Sequence, residues 1–242
     1  MSSTIFTPFT EEELMPREEK LEVVRKGKKF SIGIPKETCL HEKRISLTPD
    51  AVQVLTSHGH HILVESGAGE GSFFTDLQFS EAGAEITHDA QAVFGQNLVL
   101  KINPPTIEEI DYLKPDTYLV SALQINLRNK DYFKKLSEKK VNAIAFEFIE
   151  DEYHQRSLVR LIGEIAGGTA ILYASELLSK SNGLMLGGIT GVRPTEVVVL
   201  GAGIVGEFAT KAAIGLGASV KVFDNSLSKL RRLHTTIDSR VP

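Results

Sequence analysis

The chain has a single cysteine, no tryptophan and no excess of basic residues. Cys39 alone excludes an internal disulfide, and with no CxxC neighbour and no histidine at ligand spacing it implies no metal site. Twenty-seven basic against thirty-one acidic side chains leave a net charge of -4, so the electrostatic footprint of a nucleic-acid binder is missing. Apolar runs long enough for a membrane helix, ~18 residues, are also missing, which argues against membrane insertion. The first twenty residues lack the basic start and apolar core of a secretory signal, and a cytoplasmic protein is predicted.

What is present is a soluble globular composition, 42% hydrophobic and 24% charged. Residues 1–29 are charged and weakly apolar and read as an exposed amino-terminal arm. Within it Thr10 and Glu13 have capping-box spacing for a short helix that Pro16 must end. From Phe30 onward short apolar runs alternate with helical periodicity. FSIGI (30–34), HILVE (61–65), LVLKI (98–102), TYLVSAL (117–123) and NAIAFE (142–147) read as buried parallel strands.

Thr48 and Pro49 form an N-cap and first-turn pair, and further helices are expected over 90–94, 107–113 and 132–139. The alternation predicts an α/β fold of two Rossmann-like, doubly wound parallel-sheet domains, the second incomplete. The expected units are residues 30–160 and residues 161–242. The latter comprises a linking helix over 164–180, packed through Gly167 and Gly168, and the start of a nucleotide-binding domain.

Gly201, Gly203 and Gly206 form GxGxxG directly after an apolar strand and directly before a helix, the context that dinucleotide binding requires. Asp224, 18 residues past Gly206 at the end of the next strand, suits ribose hydroxyls and repels a 2′-phosphate, which favours NAD. The competing reading is a plain βα turn with Asp224 capping the following helix. Lys229, Arg231 and Arg232 stand just beyond, where a 2′-phosphate pocket could use them. The second glycine cluster, Gly67 to Gly71, reads as a structural loop.

At IGIPKE (32–37), EKRISLTPDAV (42–52), ESGAGEGSFF (65–74), EIAGG (164–168) and VVVLGAGIVG (197–206), the sequence resembles the alanine dehydrogenase and nicotinamide nucleotide transhydrogenase family. The resemblance implies NAD-dependent deamination of L-alanine to pyruvate and ammonia in a cleft between two domains, with a small amino or keto acid as substrate and a homo-oligomer as assembly. Arg44 matches the family's carboxylate-binding arginine, and a guanidinium fork suits a planar carboxylate. The alternative is an ion pair of Arg44 with Glu42 or Asp50.

Two family positions differ. The lysine that holds the keto oxygen is Asn103, as in transhydrogenases, and the catalytic histidine is Gln124. Glutamine cannot shuttle a proton near neutral pH. Lys101 is the expected catalytic substitute, on the assumption that it and Asn103 share a strand face about 6.6 Å apart at roughly 3.3 Å per residue; the competing reading is a lysine paired or solvated at the strand end. A non-catalytic, transhydrogenase-like NAD-binding module is the competing function. The apparent shortfall of the second domain also leads to the expectation that the 242-residue chain alone does not turn over alanine.

Overall fold

The computed structural model describes residues 29–238. Residues 1–28 of the amino-terminal arm, with the predicted short helix, therefore lie outside the described residues. A six-stranded, all-parallel sheet is built from β1 (Ser31–Ile34), β2 (His61–Glu65), β3 (Glu85–Thr87), β4 (Leu98–Leu100), β5 (Tyr118–Ser121) and β6 (Asn142–Ala145). Its spatial order is β3-β2-β1-β4-β5-β6. The direction of winding reverses between β1 and β4, and crevices at the carboxyl ends of such neighbours hold ligands in open α/β sheets.

The crossovers are α1 (Pro49–Ser57), α2 (Asp76–Glu81), α3 (Ala90–Phe94), α4 (Ile107–Tyr112) and α5 (Lys130–Glu138). Thr48 caps α1 by accepting the Ala51 N–H, with Pro49 in the first turn. Thr75 and Gln78 close a capping box on α2, and Thr106 and Glu109 close one on α4. Neither α2 nor β3 was expected. Both are short, and their apolar residues are too few to set a period. Their anchor is Phe79, fully buried and edge-on to Phe74 at a centroid distance of 6.2 Å.

Two cores flank the sheet. Ile32, Ile34, Val52, Ile62, Val64 and Phe79 form one, under α1 and α2. Phe94, Val99, Ile110, Leu119, Tyr132 and Leu136 form the other, under α3, α4 and α5.

Helix α6 (Ser157–Asn182) follows, starting earlier than its sequence periodicity suggests. A second, two-stranded parallel sheet comes next, with β7 (Glu196–Leu200), α7 (Ile204–Gly215), β8 (Ser219–Phe223) and then α8 (Leu227–Asp238). Gly163, Gly167 and Ile171, one helical turn apart, make the buried stripe of α6. A methyl group on Gly167 would lie 2.4 Å from the Val205 carbonyl oxygen, whereas Gly168 faces open space. The expected glycine pair is thus corrected to Gly163 and Gly167, because residues four apart share a helix face and adjacent ones do not.

Among the described residues α6 is the one helix that by length and composition could cross a membrane. Its small residues pack on α7.

Truncating Phe79 to alanine should cost about 3–5 kcal/mol, the range for a fully buried phenylalanine. A urea titration followed by far-UV circular dichroism checks this as a lower midpoint for the six-stranded unit.

Candidate functional site

The loops after β1, β2 and β4 meet where the winding reverses. Gly71 lies against the backbone of Lys43, whose carbonyl accepts the Ser72 hydroxyl at 2.6 Å. The second glycine cluster thus builds one wall of a crevice of about 260 Å3, whose lining includes Lys36, Glu37, Cys39, Glu42 and Arg44. Glu42 is the hub. Its carboxylate takes Arg44 Nε and Nη2, each at 2.7 Å, and Asn103 Nδ2 at 3.0 Å.

The fork between Glu42 and Arg44 is bidentate, a strong and directional form of ion pair. It holds the Glu42 carboxyl below the ordinary carboxylate range and the Arg44 guanidinium above its own. Arg44 is half exposed, and its Nη1 group has no partner among the described residues. The arginine therefore both pairs with Glu42 and keeps an edge open to the crevice.

Lys101 lies differently from what the sequence suggested. Strand β4 ends at Leu100, so the two-residue period does not carry through to Asn103 and the two side chains go to separate partners. Lys101 is only 2% exposed, with its ammonium 2.8 Å from Glu37 Oε2 and 3.8 Å from Glu109 Oε1. It is a sealed counter-ion and does not face the crevice.

Gln124 lines a different hollow of about 270 Å3, together with Glu147 and Phe148. Its backbone is left-handed, with φ 49°, a conformation uncommon for a non-glycine residue. Glu147 pins it by accepting the Leu123 and Gln124 N–H groups at 3.2 and 2.8 Å. The structure thus joins Arg44 to Asn103 and keeps Gln124 apart. Glu37 and Glu147 were not singled out in the sequence; the available signal was a carboxylate two or three residues beyond an apolar strand.

In the second unit Gly201 turns the chain with φ +106°, and its N–H donates to the Phe223 carbonyl at 2.7 Å. A methyl on Gly206 would fall 1.8 Å from the Gly201 carbonyl oxygen, so only glycine lets α7 approach β7 this closely. Gly203 caps α7 beside open space. Asp224 Oδ2 accepts the Ala202 N–H and Oδ1 the Ser226 N–H, both at 2.7 Å. These two bonds, with a smaller pull from Lys229 in the first turn of α8, lower its pKa. Asp224 therefore orders the glycine turn and the entry to α8 together. Arg232 is already committed to the buried Glu207 at 3.4 Å.

A six-stranded parallel sheet in the order 3-2-1-4-5-6, followed by a strand, glycine turn, helix and strand, defines a Rossmann-like α/β protein. Residues 33–166 match the family model for the alanine dehydrogenase/PNT N-terminal domain, and residues 170–241 match that for the C-terminal domain. The chain belongs to the alanine dehydrogenase/PNT family.

An alanine dehydrogenase of Staphylococcus saprophyticus is 36% identical over 213 residues, 87% of this chain and 57% of the relative. Alanine dehydrogenase 2 of Staphylococcus aureus is 36% identical over 215 residues, 88% of this chain and 58% of the relative. A solved L-alanine dehydrogenase superposes with a TM-score of 0.77 at 34% identity, covering 87% of this chain and 59% of that one. A transhydrogenase from Sinorhizobium meliloti shares the fold, with a TM-score of 0.73 at 23% identity over 85% of this chain and 62% of that one. The chain spans less than two thirds of the length of these relatives.

Because Glu42 has a native pKa below its ordinary value of 4.5, the stability from its bridge to Arg44 is full above about pH 4.5. That contribution is lost as pH falls through the lowered native value. Wild type should therefore have the higher urea midpoint at pH 7, and its advantage over Glu42→Gln should shrink steadily as paired titrations are carried below pH 4.5.

Proposed function

We propose that the chain binds NAD at Gly201, Gly203 and Gly206, with Asp224 on the ribose hydroxyls, and a small amino or keto acid beside Arg44. Its reaction in this reading is that of an alanine dehydrogenase: L-alanine, NAD and water give pyruvate, ammonium, NADH and a proton. The observation that carries the proposal is the meeting of Arg44 and Asn103 on Glu42 at the carboxyl edge of the sheet, where the winding reverses. The cofactor assignment is supported by the fit of the turn: open space beside Gly203, close packing at Gly206 and a carboxylate at the end of β8.

NAD, when bound, supplies the hydride acceptor. The chain's own contribution is binding and orientation. The open edge of Arg44 takes the carboxylate, and the Asn103 amide donates an N–H to a keto oxygen or accepts from a substrate ammonium through Oδ1. Gln124, in its separate hollow, has no direct part in this arrangement. Lys101, sealed against Glu37, has no direct part. The division at about residue 160, with the acid site before it and the cofactor turn after it, belongs to the same proposal, as does a homo-oligomeric assembly.

A second reading is favoured by Asn103 and Gln124 themselves. Neutral amides hold a ligand but move no proton near neutral pH, a service otherwise giving about 10² to 10⁴ in rate. A transhydrogenase-like module that binds NAD without deaminating an amino acid fits this chemistry. Absorbance at 340 nm with L-alanine and NAD separates the two. Steady NADH formation supports the first, NAD binding without turnover supports the second, and no binding defeats both.

Asp224→Ala should weaken NAD binding by roughly tenfold or more, and Asp224→Arg should move the preference toward NADP, read by fluorescence titration with each cofactor. Arg44→Lys should weaken pyruvate binding or raise its KM by a similar factor, since a point ammonium cannot reproduce a two-pronged contact.

A further inference from the structure

Lys101 is charged and sealed from water, and it stands between two carboxylates that are themselves almost wholly buried. Replacing a buried ionic set of this kind with apolar residues of similar volume is often neutral or stabilising, so stability alone does not account for it. The set does hold a loop by both ends. Glu37 accepts the N–H groups of Ile102 and Asn103 at 2.6 and 3.3 Å, directly after Lys101. Pro104 and Pro105 have no N–H to offer. The next donor, the Thr106 N–H, goes to Glu109 at 2.7 Å. Thr38, beside Glu37, adds its hydroxyl to Glu109 at 3.3 Å. The ammonium of Lys101 is thus the common counter-ion of the two carboxylates that clamp 102–106, and the side chain carried by that loop, Asn103, reaches Glu42 and through it Arg44.

We propose that Lys101 is a positioning residue for the acid-binding crevice: it fixes Glu37 and Glu109, these fix the 102–106 loop, and the loop presents the Asn103 amide beside Glu42 and Arg44. The proposal deepens the reading of the crevice as a small-acid site and rests on it for its functional consequence. Lys101 touches no ligand in this arrangement. Its effect passes through backbone N–H groups, so its removal alters the placement of Asn103 while the strands stay formed.

The test uses the full 242-residue chain labelled with 15N, comparing wild type with Lys101→Met, a side chain of similar length without charge. If that variant does not fold, Lys101→Met/Glu37→Gln, which removes one charge of each sign, replaces it. Hydrogen exchange is followed at Ile102, Asn103 and Thr106, with Val99 and Leu119 in the neighbouring strands as references. The side-chain amide resonances of Asn103 report its contact with Glu42, and pyruvate is the titrated ligand.

The expected result is roughly tenfold or greater loss of protection confined to 102–106, a shifted Asn103 side-chain signal and pyruvate binding weakened by a comparable factor. Unchanged protection and an unchanged Asn103 signal overturn the proposal. So does a loss equally large at Val99 and Leu119, which would make Lys101 a general support of the sheet. Absence of pyruvate binding in wild type defeats the small-acid reading instead, while the exchange and resonance data still decide whether Lys101 sets the loop.

Discussion

The last N–H groups at the carboxyl edge of a parallel sheet have no further strand to pair with, and unpaired buried donors are costly. In this protein glutamate side chains take them. Glu65, at the end of β2, accepts the Lys36 N–H beyond β1 at 2.8 Å. Glu37, from that same loop, accepts those of Ile102 and Asn103 beyond β4, and Glu147, beyond β6, accepts those of Leu123 and Gln124 beyond β5. Each of these bonds joins one strand's loop to that of a neighbour. The edge where a ligand would sit is thereby fixed from strand to strand across the sheet.

That fixing explains how a site assembled from distant residues acquires one geometry. Arg44 and Asn103 are 59 positions apart in the sequence, yet both end on the Glu42 carboxylate. The resulting group is rich in donors held by a single acceptor, with one edge of the guanidinium left open. Asn103 reaches that acceptor through a neutral amide, a group that forms hydrogen bonds without titrating near neutral pH.

Helix α6 ties the first sheet to the glycine turn. Its Leu158 and Ile162 line an apolar cavity with Leu100, Ile102 and Val120, while Gly163 and Gly167 bring its backbone onto α7. The residues on either side of this seam are one turn apart, so the orientation of the helix about its own axis is set twice. On the far side of β7 and β8, Val198, Leu200 and Phe223 stand largely exposed, opposite the face that α7 covers.

Local chemistry in the sequence was enough for most of the framework. The apolar runs of β1, β2, β4, β5, β6, β7 and β8, the Thr48–Pro49 start of α1 and the glycine turn with its acidic partner all depend on residues within a few positions of one another. Period, capping and turn geometry act at that range. Short α2 and β3 escaped because they follow the second glycine cluster, in a segment that was read as part of its loop. The fate of Lys101 was decided elsewhere. Whether a lysine at a strand end meets solvent, a ligand or a carboxylate depends on what the neighbouring loops bring to it, and Glu37 and Glu109 arrive from 64 positions before and 8 after. The sequence determined which side chains could act at this edge. Only the tertiary structure, through buried carboxylates that must find donors, decided which of them face the crevice and which lie sealed beneath it.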